Sequence, residues 1–223
     1  MEISGILALL NDHEEVVTSH ARWAEERGCI HPEVLNSLVS IGVPRFFLPG
    51  SLGGFELSPL DCAEVTEAIA DIDPSAAWFV MVFNASRLAG ATWDKDLVDL
   101  VWGDNPDTLV AASGNSPYEG EKQGSFVHVE GTNHFASGCR YAKWMLSPIR
   151  IGGAVHSVVL PMSDCKILDN WDSLGMRGSG SNSVKASGVR VPISQVIPVS
   201  PRKLIRNHYY QGILYQAPAR IVF

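Results

Sequence analysis

The hydrophobic periodicity of the sequence changes once, near residue 105, and this change limits the folds that the chain can adopt. Before it, apolar residues recur at helical spacing, first over residues 3–24. After residue 108, apolar and polar residues alternate over 126–130, 133–137, 144–151, 155–160 and 184–191. Helices and strands segregated along the chain are typical of α+β proteins. We therefore predict an all-helical N-terminal domain followed by an antiparallel β-barrel or sheet.

Helix caps and breakers predict where these regions divide. Gly28 ends the first helical pattern, Pro32 suits the start of the second, and Asp73-Pro74 combines a cap with a first-turn proline. The segment Asp104-Asn-Pro106 marks the seam between the helical and β parts. We expect an N-terminal helical domain over residues 1–105 and a middle β domain over 106–200. Residues 201–223 are then a connector.

A glycine- and serine-rich loop follows Trp171. Its glycines, at 175, 178 and 180, allow a backbone to approach a ligand closely, and Arg177 offers a fork of hydrogen-bond donors. A dinucleotide-binding loop is excluded, because the third glycine is missing and a strand-like pattern, not a helix, follows Ser183. The alternative, an ordinary surface loop between two strands, stays open.

Composition excludes several classes of protein. The net charge of −7 argues against a nucleic-acid partner, and no apolar run is long enough to predict a membrane span. Seven histidines and four cysteines lack metal-ligand spacing, so no metal site is predicted. The scattered cysteines and the lack of a basic leader indicate a reduced, cytoplasmic protein.

The loop 171–184 and the upstream segment Phe135-Ala-Ser-Gly138 resemble the middle domain of the acyl-CoA dehydrogenase superfamily. They are most similar to its branch of flavin-dependent monooxygenases. The turn at 49–55 and the helix start at 73–78 resemble the family's helical domain, so the similarity spans nearly the whole chain. It implies an acyl-CoA dehydrogenase-like fold of helical domain, then β domain.

The resemblance also implies the site residues. Ser137 and Asn84 would be catalytic, with the Ser137 hydroxyl near the reactive nitrogen of a flavin and Asn84 facing the substrate. The residues implied in cofactor binding are Asn115, Phe135, Ala136, Ser137, Gly138, Trp171, Arg177, Ser179 and Ser181. Structural interpretations remain open for Ser137, Asn115 and Asn84. They are a serine at a strand end, an asparagine in a turn and a hydrogen-bonded asparagine in the core. Asn133 departs from the pattern, since this branch commonly has Trp there.

The implied function is a monooxygenase that uses reduced FMN or FAD from a partner flavin reductase, and O₂, to oxygenate a small organic substrate. Acyl-CoA dehydrogenation on the same fold is the enzymatic alternative, and a non-catalytic interaction module is the other. The family continues into a C-terminal helical bundle that this sequence does not contain. We therefore expect a homo-oligomer, or a partner chain that supplies the bundle.

Overall fold

The computed structural model describes residues 2–198 and 208–210, and its first half is helical. The helices are α1 (Ile3–Arg27), α2 (Pro32–Ile41), α3 (Pro59–Ile72), α4 (Pro74–Ala89) and α5 (Lys95–Val98), which runs into a π-helical turn at Asp99–Gly103. Single 3₁₀ turns lie at Val43–Arg45, Gly50–Leu52 and Gly90–Thr92. Within this described part, no helix is both long and apolar enough to span a bilayer.

Local capping explains where these helices begin and end. Gly28 closes α1 in the left-handed conformation at φ 63°. The Ser58 side chain and Asp61 form a reciprocal capping box at the start of α3. Asp73 caps α4 by accepting a hydrogen bond from the Ser75 amide at 2.8 Å. The boundaries at Gly28 and at Asp73-Pro74 agree with those predicted from the sequence.

The second half is one eight-stranded sheet. Its strands are β1 (Val110–Ala112), β2 (Tyr118–Gln123), β3 (Phe126–Asn133), β4 (Trp144–Ile151), β5 (Ala154–Pro161), β6 (Lys166–Leu168), β7 (Ser183–Pro192) and β8 (Val196–Pro198). The strand order is β6-β7-β3-β2-β4-β5-β8, with β1 paired to β4 outside this path. The α-helices therefore precede the strands in the described residues, as the α+β prediction requires, and only short 3₁₀ turns lie among the strands. The divisions at 105 and 200 remain predictions, and most of 201–223 lies outside the described residues.

The sheet differs from the antiparallel barrel expected from the alternation. The strand path is open among the described residues, and β4 pairs in parallel with both β1 and β2. The parallel pairs arise because residues 134–143 carry the chain from β3 across to β4, instead of a tight hairpin turn. The remaining pairings are antiparallel.

Strands β1 and β2 lie end to end along one edge of β4. From Ala112 to Tyr118 the chain advances six positions, whereas β4 advances three, from Leu146 to Ile149. The surplus residues bulge out of the ladder as the loop 113–117. This loop is therefore held at both ends by strands, next to the C-terminal half of α4 that packs on β1.

Candidate active site

A cavity of about 650 Å³ lies between α4 and the sheet. This is within the usual range for small-molecule sites. Its lining combines one face of α4, the end of β1 with its bulged loop, the segment after β3, and parts of β4 and β5. The lining residues are Trp78, Met81, Val82, Ala85, Ser86, Ala89, Ala112, Ser113, Gly114, Asn115, Phe135, Ser137, Leu146, Ser147, Pro148 and Ser157.

Helix α4 contributes a stripe at helical spacing. Trp78, Met81, Ala85 and Ala89 are four of the six exposed or half-buried positions of a helix that is otherwise packed into the core. They recur three or four residues apart, so they share one face. A helix that is apolar nearly all round is typically buried, but Trp78 is 39% exposed. The apolar surface that α4 leaves uncovered is the wall of the cavity.

The bulged loop places Asn115 at the cavity opposite this stripe. Asn115 is exposed, and its backbone amide lies 3.4 Å from the Ser113 hydroxyl. That hydroxyl donates in turn to the His134 carbonyl at 2.6 Å, which fastens the loop to the segment after β3. The Asn115 amide group is therefore available to a ligand, and the turn predicted as its alternative is also present.

Ser137 reaches the cavity from an irregular segment. The alternation predicted a strand near residues 133–137, which is wrong beyond Asn133, because the only sheet contact there is a single bridge between Ser137 and Ala112. Phe135 lies in the left-handed region at φ 59°, an uncommon conformation for a bulky side chain. Its ring is 58% exposed and lines the cavity beside Ser137. Strain of this kind concentrates at functional sites.

The other two residues of this segment are structural. Ala136 is fully buried, and its amide donates to the Asn182 carbonyl at 2.9 Å. Gly138 has φ 77°, and a side-chain carbon there would lie 2.7 Å from the Phe83 ring of α4. Neither lines the cavity. Ala136 and Gly138 pack this segment against the core, so that Phe135 and Ser137 face the cavity.

The Ser137 hydroxyl belongs to a hydrogen-bond network with three other side chains. The indole Nε1 of Trp78 donates to Ser137 Oγ at 2.9 Å. Ser181 Oγ lies 2.8 Å from Ser137 Oγ, and Ser179 Oγ lies 3.1 Å from Ser181 Oγ. Ser179 and Ser181 are buried and do not line the cavity. The glycine–serine loop thus meets the cavity through the Ser137 hydroxyl.

The glycines of this loop approach the protein's own helices, and the predicted approach to a ligand is wrong for two of the three. A side-chain carbon at Gly178 would lie 3.0 Å from Ala24 of α1 and from Ser75 of α4. At Gly180, φ 55°, it would lie 3.1 Å from the Gly28 carbonyl. The third, Gly175, has open space around it. The loop is therefore packed against α1 and α4.

Arg177 and Trp171 hold the loop in this position. The Arg177 side chain donates to the Glu25 carbonyl at 3.0 Å and forms an ion pair with Asp172. The Trp171 indole donates to the Arg177 carbonyl at 3.0 Å, and its ring meets Phe135 edge-to-face at 6.2 Å. Neither residue lines the cavity. Trp171 reaches the site through Phe135, whereas Arg177 bonds to α1, so binding of the cofactor by Arg177 stays a prediction.

Asn84 lies on the core side of α4. It is 1% exposed, and its amide nitrogen donates to the carbonyls of Val43 and Val80, each at 2.9 Å. Its oxygen accepts from the Phe47 amide at 3.3 Å. The side chain therefore joins α4 to the 43–47 turn and does not line the cavity. This is the core-asparagine reading that the sequence left open.

We expect Asn84→Ala to lower the free energy of unfolding by about 2 kcal/mol, because three buried hydrogen bonds are lost. Chemical denaturation measures this. Asn115→Ala is the matched control, since its exposed side chain makes no hydrogen bond within the described chain and the change should stay within about 0.5 kcal/mol. Equal stability of the two variants would contradict a structural role for Asn84.

The cavity wall is electrically neutral. Its lining residues in the described chain include no ionisable side chain, and its polar groups are five serines, Asn115 and the Trp78 indole. Cys139 lies behind Ser137, where burial raises the pKa of its thiol to about 11. It therefore stays protonated at neutral pH and is not a nucleophile. The site can position ligands by hydrogen bonds and apolar contact.

One cluster outside the cavity brings possible metal ligands together: His20, His31 and Glu33. The two imidazole rings stack at 3.9 Å with 28° between their planes, and His31 Nδ1 accepts the Glu33 amide at the start of α2. Ring lone pairs lie in the ring planes, so stacked rings direct them side by side, not at one ion. We interpret the cluster as a contact between α1 and α2.

Comparison with known proteins finds relatives that are similar over most of this chain. The chain is 25% identical over 200 residues to the oxygenase subunit HsaA, a flavin-dependent monooxygenase of Mycobacterium tuberculosis. It is 27% identical over 201 residues to the oxygenase component of p-hydroxyphenylacetate 3-hydroxylase from Acinetobacter baumannii. Each match covers 86% of the chain. The chain is a homologue of flavin-dependent monooxygenase oxygenase components. No protein-family model matches it.

Solved structures have the same fold. XiaF from Streptomyces sp., in complex with FADH2 and glycerol, superposes over 88% of the chain with a TM-score of 0.85 at 20% identity. TdsC from Paenibacillus sp. A11-2, in a complex with FMN and indole, gives 0.78 over 87%. The chain covers 51% and 53% of these two structures, and about half the length of the curated relatives it matches.

Sequence reasoning missed Trp78 and Ser113 as site residues. Trp78 belongs to a helix that is apolar nearly all round and was therefore interpreted as core, and Ser113 was given no role. A signal for Trp78 exists, because Trp78, Met81, Ala85 and Ala89 form one stripe of a helix whose other faces are also apolar. Such a helix must bury two opposite faces, and a ligand is one way to cover the second. Ser113 has no comparable signal.

Proposed function

We propose that the chain provides the helical and β parts of a flavin-dependent monooxygenase oxygenase component. Reduced FMN or FAD and O₂ are its co-substrates, and a small organic molecule is oxygenated. A separate flavin reductase supplies the reduced flavin, as the "oxygenase subunit" and "oxygenase component" names of the relatives suggest for those proteins. The carrying observation is the Ser137 hydroxyl, presented at the wall of a neutral apolar cavity between α4 and the sheet.

The residues of the cavity fit a flavin and a small substrate. Its volume of about 650 Å³ suits ligands of this size, and its lining is mainly apolar with a few polar groups. Asn115 offers both a donor and an acceptor to the edge of a heterocycle, and Ser137 offers a hydroxyl. Phe135 and Trp78 provide exposed aromatic surface that a planar ring can cover. Ser137, Asn115, Phe135 and Trp78 would hold the flavin.

The flavin, when bound, supplies the redox chemistry with O₂. The chain's own residues bind and orient it, hold a hydrogen-bond donor at Ser137 Oγ, and line the space with apolar groups that keep water out. Met81, Val82 and Leu146 serve this last purpose. The neutrality of the wall leaves hydrogen bonds as the means of fixing the substrate.

The proposal includes association with further protein surface beside the cavity. Leu174 is fully exposed, and Phe135 and Met176 are 58% and 37% exposed, all in or beside the segments that bound the site. Met176 is also held in the left-handed region at φ 53°. Exposed apolar groups gathered in this way are typical of interaction surfaces. A homo-oligomer is the association that we propose.

Anaerobic titration with reduced FMN and reduced FAD tests the function. We expect saturable quenching of tryptophan fluorescence, since Trp78 lies in the cavity wall. Trp78→Phe should remove most of the quenching, whereas Trp23→Phe, on α1 and away from the cavity lining, should leave it unchanged. Absence of binding would favour a non-catalytic module. Bound flavin that is reduced by an acyl-CoA would favour the dehydrogenase.

A further inference from the structure

Three serine hydroxyls form a chain that ends at the cavity, and we call Ser137, Ser181 and Ser179 the serine chain. Its two oxygen–oxygen distances are 2.8 Å and 3.1 Å. The Trp78 indole also donates to Ser137, at 2.9 Å. Ser179 and Ser181 are 2% and 5% exposed, and neither has another side-chain hydrogen bond in the described structure. The serine chain therefore runs from a buried end at Ser179 to the cavity wall at Ser137.

The hydroxyl protons of the serine chain can be arranged in two ways. A hydroxyl has one proton and can accept two hydrogen bonds. In the first arrangement, Ser179 donates to Ser181 and Ser181 donates to Ser137, so the Ser137 proton is free. In the second, the donations run the other way, and the Ser179 proton is free. The two arrangements use the same contacts and differ only in which end carries the unused proton.

Burial decides between them. Ser179 is enclosed, so an unused proton there is a buried donor without an acceptor, which is costly. Ser137 lines the cavity, where water or a ligand can accept. In the first arrangement, Ser137 Oγ accepts from both Trp78 and Ser181, so both of its lone pairs are occupied. Its remaining capacity is donation into the cavity.

We propose that Trp78 and Ser181 are positioning residues that fix the Ser137 hydroxyl as a hydrogen-bond donor to the cavity ligand. The inference rests on the proposed function for the ligand's identity, a reduced flavin, but not for the orientation of the hydroxyl. Donation by Ser181 and by Trp78 polarises the Ser137 hydroxyl and makes it a stronger donor. Because it is oriented before the ligand arrives, no reorganisation is needed at binding.

The orientation is testable without flavin, by NMR of the ¹⁵N-labelled chain. The indole N–H signal of Trp78 is the one that Trp78→Phe removes. Ser137→Ala should move it upfield, because its acceptor is lost. Ser181→Ala should move it downfield, because Ser137 then accepts from Trp78 alone and the two donors no longer compete. An upfield or absent shift in Ser181→Ala would overturn the proposal, since the reverse chain makes Ser137 a weaker acceptor when Ser181 is removed.

Flavin affinity provides a second readout through a double-mutant cycle. We expect Ser181→Ala to weaken binding of reduced FMN about fivefold, the effect of losing one hydrogen bond. In the Ser137→Ala background the same change should have no further effect, because Ser181 acts through Ser137. Ser181→Thr keeps the hydroxyl and should restore the affinity. Independent, additive losses in the cycle would overturn the positioning role.

Ser173→Ala is the matched control for both measurements. This serine belongs to the same loop, but its hydroxyl donates to the Gly175 carbonyl at 2.8 Å and it does not line the cavity. It should change neither the Trp78 signal nor the affinity. If the wild-type chain binds no flavin, the proposed function fails. The NMR shifts then test the orientation of the Ser137 hydroxyl by themselves. Failure of the proposed function can therefore be distinguished from failure of the positioning role.

Discussion

Replacing Arg87 with alanine is expected to lower the free energy of unfolding by about 3 kcal/mol, the largest loss of stability that we predict for one side chain. Arg87 lies on α4 and is completely buried. Its guanidinium donates to the Phe83 carbonyl at 2.8 Å, to the Thr108 carbonyl at 3.0 Å and to the Pro106 carbonyl at 3.2 Å. Equilibrium unfolding in urea measures the loss.

The size of the effect follows from what Arg87 connects. Pro106 and Thr108 belong to the seam between the helices and β1, so two of the three hydrogen bonds fasten this seam to α4. Within the described chain no carboxylate bonds to Arg87, because the nearby Asp107 is paired with Arg45 at 2.5 Å and 2.6 Å. The Thr108 and Phe83 carbonyls keep other donors, the Trp102 indole and the Ser86 hydroxyl, so the loss comes from three charge-assisted hydrogen bonds and the packing of the side chain.

The effect of the substitution should not vary between about pH 6 and pH 9. Burial, with a smaller contribution from the neighbouring Arg45, lowers the pKa of Arg87 to about 10 against the opposing effects of Tyr210 and Asp107. Arginine in the unfolded chain has a higher pKa, so both states are protonated throughout this range. The cost of burying the charge is therefore fully present below pH 10. A loss that varied across the range would indicate that another titrating group is involved.

Two variants control the Arg87 experiment. Arg87→Met restores much of the volume but no donor, so we expect it to recover less than about half of the loss. Arg22→Ala removes a 91%-exposed arginine paired with Glu26 one turn away, and should cost under about 0.5 kcal/mol. An Arg87→Met protein as stable as the wild type would contradict the hydrogen-bond argument.

The helical half of the fold was predictable because its signals are local. The capping box of Ser58 and Asp61, the cap and proline at Asp73-Pro74, and the left-handed Gly28 each act within a few residues. Alternation likewise predicted β3, β4, β5 and β7. The short strands β1, β6 and β8 were missed, since three residues are too few to show a period. Strand β2 was missed as well, because Tyr118 is its only apolar residue and it shows no alternation.

The arrangement of the sheet and the site depends on contacts between distant residues, which local patterns do not contain. The parallel pairing of β1 and β2 with β4 produces the bulge that carries Asn115, and no turn signal specifies it. Gly178 and Gly180 were interpreted as making room for a ligand, whereas they make room for α1 and α4. A glycine indicates a close approach but does not indicate what approaches.

The same limit applies to single side chains. Asn84 and Trp78 both lie on α4, and the sequence favoured the first as a site residue. The two are six positions apart, so they lie on different faces of the helix, one towards the 43–47 turn and the other towards the cavity. The resemblance selected Ser137, which lines the cavity. Its partner Trp78, 59 positions earlier, became visible only in three dimensions.

Replacing Ser137 with alanine is expected to speed the return of oxidised flavin, after the reduced complex meets O₂, roughly a hundredfold. The reason is the loss of a donor held in place before the reaction, facing a cavity whose wall is neutral and mainly apolar. A hydrogen bond aimed at developing charge in such surroundings is worth on the order of 3 kcal/mol. Stopped-flow mixing with oxygenated buffer, followed by visible absorbance, measures the rate.

The Ser137→Thr variant separates the hydroxyl from the rest of the side chain. It keeps the donor next to Trp78 and Ser181, so its rate should stay near that of the wild type. The stability of Ser137→Ala should fall by only about 1 kcal/mol, because Ser181 can still bond to Ser179. A change confined to the flavin reaction would therefore come from the missing donor, not from unfolding. If Ser137→Ala leaves the rate unchanged and an acyl-CoA reduces the flavin, the chain performs the dehydrogenase reaction instead.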